Sequence, residues 1–430
     1  MTVVSSLELA FHTVAFATLI LVPLYAWIVR GRGYAIFGFV LLAISLPGAL
    51  TLHARLDALF PHVAPSVDVL FLYGMIAAAA HLIALVRPRL RAAPFRLLVS
   101  IPGMAFVALG ALAGVWLLVL LPVRLVLSLL GLEPALDVAR WLDLVPLVIV
   151  VLSLVTSTRL RREVVRVALA DDGPEEITRI PFERYTRRRT PEPLDQRPLR
   201  IVQVADPHLG PWQPVRKLRR ELEALISQEP DLVLLTGDFL TMEGVGTPGA
   251  LAEALEPLRR LEGRCFAVFG NHDHESPEEV RRGLDFAGVR LLVDEEAIIE
   301  TEAGVVQLVG ADYRGRERRE HLQAVLGSNP RREGHVRILM LHDPSAFKHV
   351  PKGDVDLTLS GHTHGGQVGF LSFGFDWTVL RRTAWPDHGL FGHGANRLYV
   401  HRGTGFYGFP LRMGVPGEAS QLEVLLVPRG

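Results

Sequence analysis

Cysteine is almost missing from this chain. Cys265 is the single one in 430 residues, which excludes an internal disulfide framework. It falls within an apolar, strand-like run, where a free cysteine reads as a small buried core residue. Net charge is also missing, because 45 Lys and Arg balance 45 Asp and Glu. No global field draws the chain to a polyanion, so no nucleic acid polymer is expected as a partner. Residues 1–10 contain neither Lys nor Arg, and a secretory signal needs a basic opening. No internal repeat is visible.

Apolar residues are abundant. They make up 49% of the sequence, and the mean hydropathy of +0.29 is high for a soluble protein. The excess lies in residues 1–158, which read as a transmembrane domain of about five helices at about 8–29, 34–52, 67–86, 98–121 and 142–158. A span needs roughly 20 apolar residues. The short apolar segment 123–132 either extends the fourth span or lies at the interface. Arg30 and Arg32 follow the first span, Arg87, Arg89, Arg91 and Arg96 the third, and Arg159, Arg161, Arg162 and Arg166 the fifth. The positive-inside rule then puts the amino terminus outside and everything after the fifth span in the cytoplasm. His53 and His62 read as loop residues, and His81 stands alone among alanines. The spans show no paired charges, so a transporter with a regulatory domain is the weaker reading.

Residues 159–199 read as a charged, proline-rich linker with one or two edge strands. Its Arg187, Arg188 and Arg189 could touch anionic headgroups. Residues 200–430 alternate strand and helix, which predicts a layered α/β domain. Helices are expected at 215–228, 249–262, 277–287 and 316–327. Leu218, Leu222 and Leu225 set the helical spacing of the first, and Ser276 followed by Pro277, Glu278 and Glu279 caps the third. Helices become improbable by composition after residue 365.

Five short apolar runs in this half end in residues that bind metals. The runs 200–205, 232–235, 265–269, 338–341 and 357–359 precede Asp206-Pro207-His208, Gly237-Asp238, Gly270-Asn271-His272-Asp273, His342 and Gly361-His362-Thr363-His364. Placed at strand ends, these groups converge on one sheet edge, where open α/β sheets bind ligands. Asp206 and His208 are two apart, as are His362 and His364, so extended backbone would point each pair one way. Two aspartates, one asparagine and four histidines form a mixed nitrogen and oxygen set. Such a set suits Mn, Fe, Zn or Co better than Mg or Ca. Any one of these residues alone reads as a loop cap; the ordered set does not.

That ordered set, with the extended Gly-His-Thr-His-Gly-Gly-Gln stretch at 361–367, resembles the calcineurin-like metallophosphoesterase superfamily. The resemblance covers about residues 198–428, and the tail from Gly403 to Glu418 is similar to the bacterial membrane-linked branch. It implies a four-layer α/β sandwich of two sheets flanked by helices, with two divalent metal ions. By position, Asp206, His208 and His364 would hold one metal, Asn271, His342 and His362 the other, and Asp238 would bridge. His272 would face the substrate as a general acid or charge stabiliser. Asp273 would orient its loop, and His274 and Asp343 would support the ligands from behind. In such centres two cations clamp a phosphoryl group and activate the attacking water.

The resemblance also has departures. Protein serine/threonine phosphatases of the superfamily carry Gly-Asp-X-Val-Asp-Arg-Gly, whereas residues 237–243 read Gly-Asp-Phe-Leu-Thr-Met-Glu. The second aspartate and the arginine are missing, which argues against a phosphoprotein substrate. Pro207 replaces the more usual apolar residue. The resemblance implies a phosphodiester or pyrophosphate of a membrane-proximal, lipid-linked substrate such as UDP-2,3-diacylglucosamine, and the bilayer as partner. Phe370, Leu371, Phe373, Phe375, Trp377, Phe406, Tyr407 and Phe409 either line an acyl-chain groove or fill the second sheet's core. A soluble nucleotide or cell-wall fragment, or a non-catalytic metal-binding scaffold, are the alternatives. Together with the arginine-rich, lysine-poor composition, the resemblance places the chain in a bacterial inner (cytoplasmic) membrane.

Overall fold

The computed structural model describes residues 6–186, 194, 196–408 and 411–426. Arg187, Arg188, Arg189 and Phe409 lie outside the described residues. The chain divides into two compact units, residues 1–155 with 408–411, and residues 156–407 with 412–430.

The first unit holds five helical stretches long and apolar enough to cross a membrane: Ser6–Val29, Arg32–Leu59, Pro61–Val86, Ala93–Leu129 and Glu133–Thr156. On the first, Phe11, Ala15, Val22 and Ala26 are buried, while Leu9, Phe16, Ile20 and Trp27 are exposed. Apolar side chains thus face both ways, as in a helix with lipid on one side and protein on the other. The second and fourth stretches touch through small residues, because a Cβ on Gly48 would come 2.0 Å from the Gly110 carbonyl oxygen. Small residues at such crossings let helix backbones approach closely. The segment 123–132 mostly extends the fourth span, whose helix runs Ile101–Leu129.

Two expectations about this unit are overturned. His53 is not in a loop, since the second helix continues to Leu59 and buries it completely. A charged pair is also present, because Arg124 Nη2 lies 2.5 Å from Asp143 Oδ1, and His53 Nε2 lies within hydrogen-bond distance of Asp68 Oδ1, at 2.8 Å. Each partner is far enough away in sequence, or around a helix end, that linear spacing did not pair them.

The second unit is built on two seven-stranded sheets. In one, Leu199–Val204, Leu232–Leu235, Cys265–Ala267 and Arg290–Leu291 run parallel in that order. In the other, Gly304–Ala311, Val336–Leu341, Leu357–Ser360 and Asn396–Val400 are parallel neighbours. These strands are apolar nearly throughout because both faces are covered. Ile201, Leu232, Leu234 and Phe266 of the first sheet share one core with Leu308, Ile338, Met340 and Leu359 of the second. Outside the second sheet, Leu322, Val325 and Leu326 of the Arg318–Ser328 helix pack on Val309, Leu339 and Leu341. Outside the first, Val215–Ile226, Ala250–Leu255 and Pro277–Phe286 pack together. The result is a four-layer α/β sandwich.

The helices match their periodicity, with local differences. The expected 249–262 helix is α-helical only over Ala250–Leu255 and tightens to a 3-10 turn over Glu256–Leu261, where Pro257 removes a backbone donor. Ser276 precedes the next helix without a side-chain cap bond. The larger difference concerns residues 159–199. Leu160–Ala168 is no linker; it pairs in parallel with the final strand Gly417–Leu425 and buries Val164, Val165 and Val167. Its charges find partners far along the chain. Arg162 binds Glu221 at 2.9 Å, and Glu163 takes a bond from the buried Arg402 at 2.5 Å.

Candidate metal centre

Each of the five site-bearing strands stops one to four residues before its chemistry, and the backbone then turns sharply. Of the nine described non-glycine residues with positive φ, five are Asp206, His208, Asp238, His362 and His364. Left-handed backbone costs energy in such residues and concentrates at functional sites. The expected extended geometry of Asp206 with His208, and of His362 with His364, is therefore corrected. A left-handed kink at each residue aims these side chains, and strand alternation does not. Glycine permits the close approach at two places. A Cβ on Gly270 would lie 2.2 Å from Asp238 Oδ1, and one on Gly361 would lie 2.3 Å from Asp206 Oδ2.

The turns bring two donor groups together: Asp206, His208 and His364, and Asp238, His342 and His362. In the first, His364 Nε2 lies 3.6 Å from Asp206 Oδ1, and the rings of His208 and His364 stack at 5.2 Å. In the second, His342 Nε2 is 3.4 Å from Asp238 Oδ2 and 3.2 Å from both Asn271 Oδ1 and His362 Nδ1. The same Asp238 Oδ2 lies 3.7 Å from His208 Nε2, so it faces both groups.

The donor chemistry fits divalent cations. Both ring nitrogens of the buried His208 lack a hydrogen-bond partner. Burial pushes His208 down to about 3, and burial with His342 beside it pushes His362 down to about 4. Burial, helped by His208, holds His364 well below the usual histidine range. These imidazoles are neutral and offer lone pairs, as metal ligands must. Burial raises Asp206 to about 7. Burial opposes charge on both Asp238 and His342, yet each pulls the other the opposite way, His342 up to about 10 and Asp238 below the usual carboxylate range. A cation beside Asp238 would take the place of the imidazole's second proton and leave the ring neutral. His342 Nδ1 donates to the Thr236 carbonyl at 2.6 Å, which leaves Nε2 for the site.

Groups behind the ligands fix their positions. Asp273, also raised to about 7 by burial, accepts from the backbone N–H groups of Asp238 at 2.7 Å, Phe239 at 2.8 Å and Gly270 at 2.7 Å. One carboxylate thus ties two ligand loops together. His274 and Asp343, expected to support the ligands, make their bonds elsewhere: His274 Nε2 contacts Asp312 at 3.0 Å, and Asp343 accepts from Ser345 N–H at 2.9 Å and pairs with Arg318 at 2.7 Å. His272 is half-buried. Its Nδ1 lies 2.9 Å from Glu275 Oε1, and its ring packs 4.6 Å from that of Tyr407.

Some neighbours do not read as site residues in the sequence. Tyr407 packs on both His208 and His272, and Trp385 lies 6.0 Å from the His362 ring. Arg412 is fully buried and donates to the carbonyls of Arg402 at 2.8 Å and Gly405 at 2.7 Å, and its Nη2 lies 3.1 Å from His364 Nδ1. Tyr407 and Arg412 both fall in the Gly403–Glu418 tail, and the sequence marks Tyr407 there only for an acyl-chain groove or the second sheet's core.

A family model for calcineurin-like phosphoesterases matches residues 199–366. The metallophosphoesterase YkoQ of Bacillus subtilis, itself uncharacterized, is 30% identical over 230 residues, which cover 52% of this chain and 82% of that one. This chain belongs to the calcineurin-like phosphoesterase family. Phosphodiesterase YaeI of Escherichia coli is 28% identical, over 53% of this chain and 83% of its own. A Danio rerio "transmembrane protein with metallophosphoesterase domain" is 31% identical, over 54% of each chain. The chain spans less than two thirds of several curated relatives that it matches.

Proposed function

We propose that the chain is a dinuclear metal-dependent phosphoesterase that cleaves a phosphodiester or pyrophosphate bond at a membrane surface. The observation that carries this reading is Asp238 Oδ2, which faces His208 at 3.7 Å and His342 at 3.4 Å. Asp206, His208 and His364 would hold one cation, Asn271, His342 and His362 the other, with Asp238 between them. Cations of the Mn, Fe or Zn class would supply charge to the phosphoryl oxygens and acidify water. The chain's own residues do the rest. Asp273 keeps the Asp238 and Asn271 turns in register. Glu275 holds His272 by Nδ1, which leaves Nε2 to pass a proton to the departing oxygen. General acid catalysis of this kind contributes about 10²–10⁴-fold.

The five spans support a substrate in the bilayer or delivered from it. The distribution of arginines supports a bacterial inner membrane with the catalytic unit on its cytoplasmic side. Phe370, Phe373, Phe375 and Trp377 are exposed rather than buried in the second sheet. The Phe370 ring lies 6.4 Å from Phe373 and 5.2 Å from Trp377, so a continuous apolar patch is available to acyl chains. Phe406 is buried instead. A soluble phosphodiester is favoured by a different observation. A cavity of about 450 Å³ is lined by Lys348, Arg381 and Trp385, and by Arg179 in its ion pair with Asp387; the basic and aromatic groups suit a nucleotide.

UMP release from UDP-2,3-diacylglucosamine by detergent-purified, Mn-loaded protein tests the lipid-linked reading. Release by wild type, and none by Asp238→Ala, is expected. If a folded, metal-loaded preparation cleaves a nucleotide diester but not the lipid, the soluble substrate takes its place. If it cleaves neither, a non-catalytic scaffold remains.

A further inference from the structure

Three polar side chains in the membrane unit stand outside the phosphoesterase centre and form a second donor group: His53, Asp57 and Asp68. His53 and Asp57 are one helical turn apart on the second span, and Asp68 is on the third. His53 Nε2 lies 2.8 Å from Asp68 Oδ1 and 3.6 Å from Asp57 Oδ2. His53 and Asp68 are buried. The rings of Phe11 and Phe71 close on His53 at 4.9 and 5.1 Å. Ionisable groups in such surroundings are costly and generally functional.

A hydrogen bond alone does not account for the cluster. His53 Nε2 carries one proton, and Asp68 is the acceptor within reach. Asp57 Oδ2 at 3.6 Å is too far to share it. Asp57 Oδ1 is buried without a hydrogen-bond partner, on the carboxylate whose Oδ2 faces His53. A divalent cation would engage all three residues at once. Ligand atoms about 2.0–2.1 Å from a tetrahedral cation lie roughly 3.3 Å apart, and the observed 2.8 and 3.6 Å straddle that spacing. Donor atoms in the phosphoesterase centre show a similar spread, from 3.2 to 3.7 Å. His12, whose ring is 6.0 Å from that of His53, brings another imidazole to the same end of the bundle.

The geometry points to a transition-metal dication of the zinc class bound by His53, Asp57 and Asp68, joining the second span to the third. One imidazole and two carboxylates, with no thiolate, suit such an ion. The inference is independent of the phosphoesterase reading, since no residue is shared.

The test counts zinc per chain by plasma mass spectrometry. Full-length protein in detergent is stripped with chelator, reloaded with Zn²⁺ and desalted. Asp57→Asn keeps the side-chain shape, and unfolding temperature and monodispersity check its fold. It should carry one zinc fewer than wild type. The same loss should appear when Asp57→Asn is added to a His208→Ala/His362→Ala background, where the phosphoesterase centre is disabled. His53→Gln gives a second reading should Asp57→Asn fold poorly. Equal zinc in wild type and these variants would overturn the proposal and leave a hydrogen-bonded, proton-holding pair. A failed phosphoesterase reading would not alter the difference, because the varied residues lie in the membrane unit only.

Discussion

Replacing Asp273 should damage the centre without touching any ligand. Its carboxylate accepts three buried backbone N–H groups, from Asp238, Phe239 and Gly270. Asp273→Ala leaves all three without a partner. Each costs about 1–3 kcal/mol, partly offset because a buried carboxylate no longer has to be desolvated. The net loss is about 3–5 kcal/mol, taking those two contributions together. At about 2–4 °C per kcal/mol for a domain of this size, the catalytic unit should unfold about 6–20 °C lower. Asp273→Asn is not conservative here. Its oxygen can keep the two bonds made by Oδ2, but its amide nitrogen must then face the Phe239 N–H, donor against donor. One bond is lost, and the cost is about 1–3 kcal/mol. Differential scanning fluorimetry on the full chain in detergent at pH 8, with metal content measured in parallel, checks the order wild type, Asn, Ala. If Asp273→Ala melts with wild type and retains its metal, Asp273 does not tie the ligand loops together.

Two further outcomes follow from the packing. Arg402→Met removes the cation between Glu418, 3.1 Å away, and Glu163, 2.5 Å away. It leaves two buried carboxylates, should cost about 3–5 kcal/mol, and is read as a lower unfolding temperature. An unchanged temperature would mean the network adds nothing. Burial pushes the Cys265 thiol up to about 12, so almost no thiolate exists at pH 8 and the group is shielded as well. Iodoacetamide at pH 8 should modify it only after denaturation, and rapid labelling of native protein would contradict its burial.

The candidate donor set was legible in the sequence because each member follows a short apolar run of strand length. The helix at 215–226 was legible because its leucines recur at helical spacing on one face, and the one at 277–286 because Ser276, Pro277 and two glutamates mark a helix start. The Leu160–Ala168 strand was hidden by its own charges. Arg161, Arg162, Glu163 and Arg166 look like a solvated linker until Glu221, Arg402 and Glu423 are seen beside them. Those partners are far apart in the chain, and local pattern carries no trace of them. The aim of the ligands was hidden for a different reason. Positive φ at Asp206, His208, Asp238, His362 and His364 is imposed by tertiary packing, against the preference of the residues themselves. Tyr407 and Trp385 reach the site from irregular segments, where no periodicity marks which way a side chain faces. His53 was misplaced because Asp57 and Pro61 look like the edge of a loop, whereas the helix runs on to Leu59.

The central claim is that these seven side chains make a metal-dependent phosphoesterase with Asp238 at its centre. Hydrolysis of bis(p-nitrophenyl) phosphate by full-length protein, after chelation and again after Mn²⁺ is returned, tests it most directly. Activity should vanish on chelation and return with Mn²⁺. Asp238→Asn should stay inactive throughout, although it is folded. Turnover that survives chelation, or that persists in Asp238→Asn, would contradict the account.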